Sequence, residues 1–358
     1  MGQEPLRIID PHIHLWDQLG TPRKTSVVVK LFGWNQWLLR RVLKTAFPKD
    51  LVLFFGASMD VVSDYLPPEH AADASHLAHK VTDVVHVQAG WQGKGPMGPV
   101  GETAWLDGLE RPPAAIVGHA DMSLGSEVDA VLAAHQAASA RFRGIRHMLA
   151  SHTDKRIHSF APDPELSRSR AFRQGFEELA ARGLSFDAWC YHHQLPQVTE
   201  LAKAFPQVPI VLCHLGTPVA YGGPFASAGA TDADRQRTLE TWRRDLAELA
   251  QCPNVVVKIS GLAMPVLGWG YHLRPYAPTA QQVAEDFMPL VSHALEVFGP
   301  QRAMFASNFP VDRVSMPFHV LYGAYELLAR ELAPDHLPAL FADNAARFYR
   351  FEPSVQEG

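Results

Sequence analysis

Short apolar runs rich in Val, Ile and Phe recur along the chain and are separated by segments of a different pattern. Such runs are typical of strands that are buried on both faces of a parallel sheet. We predict eight of these strands, at residues 6–13, 83–89, 114–118, 142–148, 184–191, 209–214, 255–260 and 303–307.

The segments between these strands carry apolar residues at helical spacing. Leu239, Trp242 and Leu246 recur three or four positions apart, which places them on one face of a helix. Strands that alternate with helices predict an α/β fold, and eight alternations favour a (β/α)8 TIM barrel. A doubly wound open sheet is the alternative, because alternation alone does not show whether the sheet closes. Helix ends are predicted at Ser126 and Thr279, as N-terminal caps, and at Gly183, as a C-terminal stop.

One connection is much longer than the others. About seventy residues separate the first strand from the second, far more than the short loops of such folds. We predict that residues 15–82 form an insertion that covers the barrel mouth, with a helix at 34–47. We predict that the chain, residues 1–358, is a single domain, because no composition shift or repeat marks a boundary.

Composition excludes several classes of partner. The net charge is −5 and the basic residues are not clustered in the sequence, so we expect no nucleic-acid partner. No apolar run reaches the ~18 residues that a membrane span needs, and no leader pattern is present, so we expect a cytoplasmic protein that acts on a small molecule. Homo-oligomerisation stays open. The three cysteines, Cys190, Cys213 and Cys252, are expected to be reduced and buried.

The first predicted strand ends in a His-x-His pair. Side chains alternate along a strand, so His12 and His14 point to the same side. Two imidazoles on one side can bind one metal ion or one substrate. The alternative is a pair of surface or capping histidines.

The other predicted strands also lead into polar residues. In a barrel the site lies at the carboxyl ends of the strands, so these residues are candidates for it. His119 and His147 are better interpreted as hydrogen-bonded core histidines. Lys258, between two apolar residues, stays unassigned. If its strand persists, His193 points opposite to His192 and is better interpreted as lying behind the site or at the surface. The remaining candidates are Glu102, Arg146, Tyr191, His192, His214, Ser260, Asn308 and Asp312.

Several segments, in order, resemble the amidohydrolase superfamily, and more narrowly the lactonase-like branch of its metal-dependent barrel hydrolases. The first is Asp-Pro-His-Ile-His-Leu-Trp-Asp, at the first strand. The resemblance extends from residue 7 to about residue 350. The segments that carry it are 10–17, 101–106, 143–147, 191–196, 213–216, 258–262 and 305–312.

The resemblance implies roles for particular residues. It makes His12, His14 and His192 the ligands of a divalent metal, for which zinc is expected, although some members of the branch work without a metal. At the position of the eighth-strand Asp, this chain has Asn308. An amide cannot accept a proton at neutral pH. Either Asn308 only orients water or substrate, or another group is the catalytic base, for which Asp312 and Glu102 are the nearest candidates in the sequence.

The expected activity is hydrolysis of the lactone of a sugar acid or of an unsaturated dicarboxylate. The metal would lower the pKa of a bound water or polarise the carbonyl, and His214 would stabilise the oxyanion. Arg146, Tyr191 and His192 are expected to contact the substrate. Two alternatives stay open: metal-dependent, non-oxidative decarboxylation of an aromatic or unsaturated acid, and a barrel that binds a metabolite without catalysis.

Overall fold

The structure, a computed structural model, describes residues 5–56 and 60–354. All eight predicted strands are present, and they pair in parallel in chain order. Most end one to three residues before the predicted end, because the polar residues at their carboxyl ends leave the sheet. The strands are β1 Arg7–Ile13, β2 Lys80–Val87, β3 Ala115–Gly118, β4 Phe142–Ile145, β5 Ser185–Ala188, β6 Ile210–Leu212, β7 Val255–Ile259 and β8 Ala303–Phe305.

The segment after β8 returns to β1 and nearly closes the sheet. Asn308 N donates to His12 O, and His14 N donates to Phe309 O, each at 2.9 Å. The Asp10 carboxylate in β1 also accepts from Ser307 N at 2.9 Å. The sheet is therefore a nearly closed barrel, which confirms the predicted fold and excludes the open sheet.

The predicted amphipathic helices pack on the outside of the barrel. Leu239, Trp242 and Leu246 are buried as their spacing predicted. Thr279 caps its helix, since its side chain accepts from Gln282 N. The prediction for Ser126 was wrong, because this helix begins only at Val128. Helices among the described residues are α1 Ser26–Phe32, α2 Gln36–Ala46, α3 Lys49–Phe54, α4 Pro67–Ala74, α5 Val100–Asp107, α6 Val128–Ala138, α7 Arg170–Ala181, α8 Leu195–Ala204, α9 Asp232–Ala250, α10 Ala280–Phe298, α11 Phe318–Leu332 and α12 Asn344–Tyr349.

The long connection after β1 contains α1 to α4. Its predicted helix is α2, and the Asn35 side chain caps it by accepting from Leu38 N. The two ends of the connection are fastened together, since Trp16 and Tyr65 exchange backbone hydrogen bonds of 2.8 and 2.9 Å. The three cysteines are free and buried, as predicted. Within 5–56 and 60–354, no helix is long and apolar enough to cross a membrane.

Candidate active site

A cavity of about 340 Å³ opens at the carboxyl ends of the strands. The barrel and the insertion both line it. Its barrel residues include His14, Gln88, Arg146, Trp189, His214 and Asn308, and its insertion residues include Trp16, Arg23, Lys24, Arg40, Leu43, Lys44, Phe47, Phe54 and Phe55.

His14 is a neutral base at the cavity wall. Its Nδ1 lies 2.7 Å from Val87 O, and because a carbonyl only accepts, Nδ1 carries the proton. The lone pair is then on Nε2, which lies 3.3 Å from Asn308 Oδ1. Burial, and then the charge of Arg146, hold the pKa of His14 well below its usual 6.5, so the ring is neutral at pH 7.

Asn308 stands between His14 and a buried carboxyl group. Its Nδ2 donates to Asp312 Oδ1 at 2.8 Å, and Ala263 N donates to Asp312 Oδ2 at 3.2 Å. Burial raises the pKa of Asp312 to about 7. Asp312 is not among the described residues that line the cavity. The structure therefore places this candidate base behind Asn308, where it can orient the amide.

His12 lies deeper and faces two cations. Its ring centroid is 5.0 Å from that of His14 and 4.5 Å from that of His214. Its Nδ1 is 3.4 Å from Lys258 Nζ, and its Nε2 is 3.4 Å from Arg146 Nη1. Burial, and then Lys258, hold the pKa of His12 well below 6.5. His12 is therefore a neutral ring wedged between positive charges.

Lys258 is paired across the barrel interior. Its Nζ donates to Asp187 Oδ2 at 2.7 Å, with both side chains fully buried. Tyr349 OH donates to the same carboxylate, at 2.9 Å from Oδ2. Sequence reasoning missed Asp187 and Tyr349. A signal was present, because two opposite charges sit inside apolar strands, and a buried charge must be paired.

One buried group of side chains has the chemistry of a metal site. Among the described residues, the one group of three or more His, Cys, Asp or Glu side chains with ligand atoms within 4.8 Å of one another is His12, Asp187 and Cys213. Burial raises the pKa of the Cys213 thiol to about 12, so it is protonated. The Asp187 carboxylate already holds the Lys258 ammonium. This buried group has metal-ligand chemistry, but a divalent cation does not fit it while the ammonium stays there.

His214 reaches the cavity through an unusual turn. The chain after β6 is left-handed at His214, with φ of 57°, and the ring Nδ1 lies 2.9 Å from Ser260 Oγ. Only glycine fits at 261, since a Cβ there would lie 2.4 Å from His214 Nδ1. Burial, and then Arg146, lower the pKa of His214 well below 6.5. Its second nitrogen, Nε2, is the one left to meet a substrate.

Five predicted site residues are not among the described residues that line the cavity: His12 and Asp312, described above, and Glu102, Tyr191 and His192. The Glu102 carboxylate accepts from Ala89 N at 2.9 Å and orders the loop after β2. Tyr191 OH donates to His158 O at 2.7 Å. His192 Nδ1 accepts from Val219 N at 3.3 Å, so His12, His14 and His192 form no common ligand set.

Comparison with known proteins gives the family. The profile of the family described as "Amidohydrolase" matches residues 9–351. An uncharacterized protein of Sinorhizobium fredii, y4mH, is 36% identical over 348 residues, which are 96% of this chain and 99% of that protein. The resemblance found in the sequence is thus confirmed.

Two further relatives carry more specific descriptions. An L-fucono-1,5-lactonase of Burkholderia multivorans is 30% identical over 304 residues, 83% of this chain and 90% of that protein. A crystal structure of an amidohydrolase from the same species, with bound zinc, has a TM-score of 0.66 at 25% identity. The match covers 96% of this chain and 99% of the chain in that crystal structure.

Proposed function

Because the chain belongs to the amidohydrolase family, we propose that it opens a lactone, a cyclic ester, by adding water to the carbonyl carbon. One observation supports this best. The ends of β1, β4 and β6, with the segment after β8, bring a fixed neutral base, a cation and a second imidazole to one cavity wall. A relative that is 30% identical is a lactonase, which agrees with this reaction class.

The attacking water is held between His14 and Asn308. His14 Nε2 and Asn308 Oδ1 both accept hydrogen bonds and lie 3.3 Å apart, so the pair needs a donor. A water that donates to both presents its lone pair to the substrate. As the new C–O bond forms, His14 accepts the proton of the water. Glu102 and Asp312 do not act as the base in this scheme, because neither is among the described residues that line the cavity.

The negative charge that develops on the carbonyl oxygen falls beside Arg146 and His214. Ser260 Oγ can donate to His214 Nδ1, which leaves the proton on Nε2, available to the oxyanion. When the intermediate collapses, the ring C–O bond breaks and the alkoxide takes the proton from His14. The product is a hydroxy acid, whose carboxyl proton is released to solvent.

Zinc has no step in this scheme. Lys258 and Arg146 supply the positive charge on either side of His12 that a metal would otherwise bring.

The test is acid release from a lactone panel, followed by pH-stat. The panel contains L-fucono-1,5-lactone, uncharged aliphatic and aromatic lactones, and lactones that carry a carboxylate. The enzyme is assayed as purified, after chelation and after zinc is returned. We expect turnover that survives chelation. Loss on chelation with recovery on zinc would overturn the metal-free scheme, and CO₂ release without lactone opening would overturn the proposed function.

A further inference from the structure

We propose that the substrate carries a carboxylate on an otherwise apolar body, with the carboxylate held between Arg146 and Arg23. This inference rests on the proposed function and names its substrate class. Of the two lactone classes, sugar-acid and dicarboxylate, the inference favours the one that carries a carboxylate. Within that class it favours substrates that have few hydroxyl groups.

The first evidence is the charge of the cavity wall. Its described lining includes five cationic side chains and no Asp or Glu, although the chain as a whole has a net charge of −5. A concave wall of one sign raises the local concentration of ligands of the opposite sign. The five are Arg23, Lys24, Arg40, Lys44 and Arg146.

The second evidence is a set of buried donors with no acceptor. Arg146 Nε, Gln88 Nε2 and Arg23 Nε are all buried and have no hydrogen-bond partner. All three belong to residues that line the cavity. Unpaired buried donors are costly, and a carboxylate supplies two acceptor oxygens in a geometry that matches a guanidinium.

The two arginines flank the same stretch of chain. Arg146 Nη2 donates to Gln88 O at 2.7 Å, and Arg23 Nη1 donates to Ala89 O at 2.8 Å. Arg23 also lies over the Trp16 ring, with its Cζ 4.4 Å from the centroid. Both guanidinium groups are thus fixed before a ligand arrives, which lowers the entropic cost of binding it.

The third evidence is the apolar remainder of the wall. Phe54, Phe160 and Trp189 form a mutual aromatic cluster, with centroids 4.6 to 5.9 Å apart. Leu43, Phe47 and other apolar residues of the insertion extend it. A polyhydroxylated sugar ring against such a wall would leave its hydroxyl groups unpaired, whereas an aliphatic or aromatic ring buries well.

Equilibrium binding of unreactive ligands tests the inference apart from catalysis. We would titrate the full-length protein with 3-phenylpropanoate, its isosteric amide 3-phenylpropanamide, and D-gluconate, by calorimetry. We expect the carboxylate to bind about tenfold or more tightly than either other ligand, because the amide lacks the charge and gluconate lacks the apolar body. Equal affinity for carboxylate and amide, or tightest binding of gluconate, would overturn the inference.

Variants assign the preference to the two arginines. Arg146→Met and Arg23→Met should each reduce the carboxylate-over-amide ratio, while Arg156→Met, at an exposed arginine outside the described lining, should retain it. Because Arg146 is buried, thermal melting must show that Arg146→Met is folded. If that variant does not fold, Arg23→Met still tests the assignment. An unchanged ratio in both variants contradicts the assignment.

The outcomes separate the two proposals. If the binding preference holds but no lactone is opened, the ligand class stands and the proposed function fails. If uncharged lactones are opened as fast as carboxylated ones, and binding shows no preference, the function stands and the ligand class fails.

Discussion

Two regions meet at the cavity, and they are built from different chemistry. The floor group, which we define as His12, His14, Arg146, Asp187, His214, Lys258 and Asn308, is buried, polar and joined by short contacts across the barrel. The insertion supplies aromatic, aliphatic and long cationic side chains from short helices.

The two regions have different functions in this account: the floor group carries the reaction, and the insertion selects the substrate. A polar network in a low-dielectric interior fixes protonation states and geometry, as reactions of water require. Apolar and cationic walls recognise a substrate by shape and charge. Their side chains can be substituted without changing the contacts within the floor group. Changes to the floor group should therefore alter turnover or folding, while changes in the insertion should alter substrate affinity.

The largest effect is expected from His14→Gln. The amide can still hold a hydrogen bond but cannot take a proton from water, so turnover of an accepted lactone should fall by about 10²–10⁴-fold. Stability should change little. The check is kcat by pH-stat beside thermal melting. A variant that keeps more than a tenth of wild-type turnover would remove His14 as the base.

Lys258→Met should destabilise the fold strongly. It leaves the Asp187 charge buried without its partner, which costs about 3–5 kcal/mol of unfolding free energy. Lys258→Met combined with Asp187→Leu should recover much of that loss. Urea unfolding measures both, and Lys203→Met, at an exposed ion pair, is the control and should change stability by less than about 1 kcal/mol. Equal effects at the two lysines would refute the difference between floor and surface.

Asn308→Asp should weaken both stability and turnover. The substitution removes the Nδ2 donor to Asp312 and places a second carboxyl group beside it. The free energy of unfolding should therefore fall by about 1–3 kcal/mol at pH 8. The cost should be smaller at pH 5, where the two groups can share a proton. A large gain in turnover would instead mean that Asn308 marks a catalytic function that was lost.

The stability of the protein should also depend on pH through Asp312. The pKa of Asp312 is raised from 3.8 to about 7 in the folded protein, so the folded state holds a proton that the unfolded state has released. The stability from this group is present below pH 4 and lost as the pH rises toward 7, at up to about 1.4 kcal/mol per pH unit. The unfolding free energy of wild type relative to Asp312→Asn should fall over this range. A flat difference would contradict the raised pKa.

Placement at one face of the barrel could be predicted from the sequence where a residue lies at, or within three residues of, the end of a strand. His12, His14, Arg146, His214 and Asn308 were predicted as neighbours because barrel strands end at one face, and the structure places them around one another. Periodicity and parallel pairing are enough for such a prediction, since both are local or follow from topology.

The sequence did not predict positions beyond the point where a strand ends and the alternation of its side chains stops. The strand predicted at 184–191 ends at Ala188, and the chain then turns, so Tyr191 and His192 do not keep the strand's alternation toward the interior. Asp187 is the β5 residue that reaches the floor group. Its pairing with Lys258 and Tyr349 spans 71 and 162 residues of sequence, and no local pattern encodes such a contact.

Isotope incorporation tests the central claim, that water held by His14 and Asn308 attacks a lactone carbonyl. A carboxylated aromatic lactone, phthalide-3-carboxylate, would be opened by chelated enzyme in H₂¹⁸O and the product examined by mass spectrometry. The account predicts one ¹⁸O atom in the newly formed carboxylate, none in the hydroxyl group, and product formation at least about a hundredfold slower with His14→Gln. Label in the hydroxyl group, or ring opening that His14→Gln leaves intact, would contradict it.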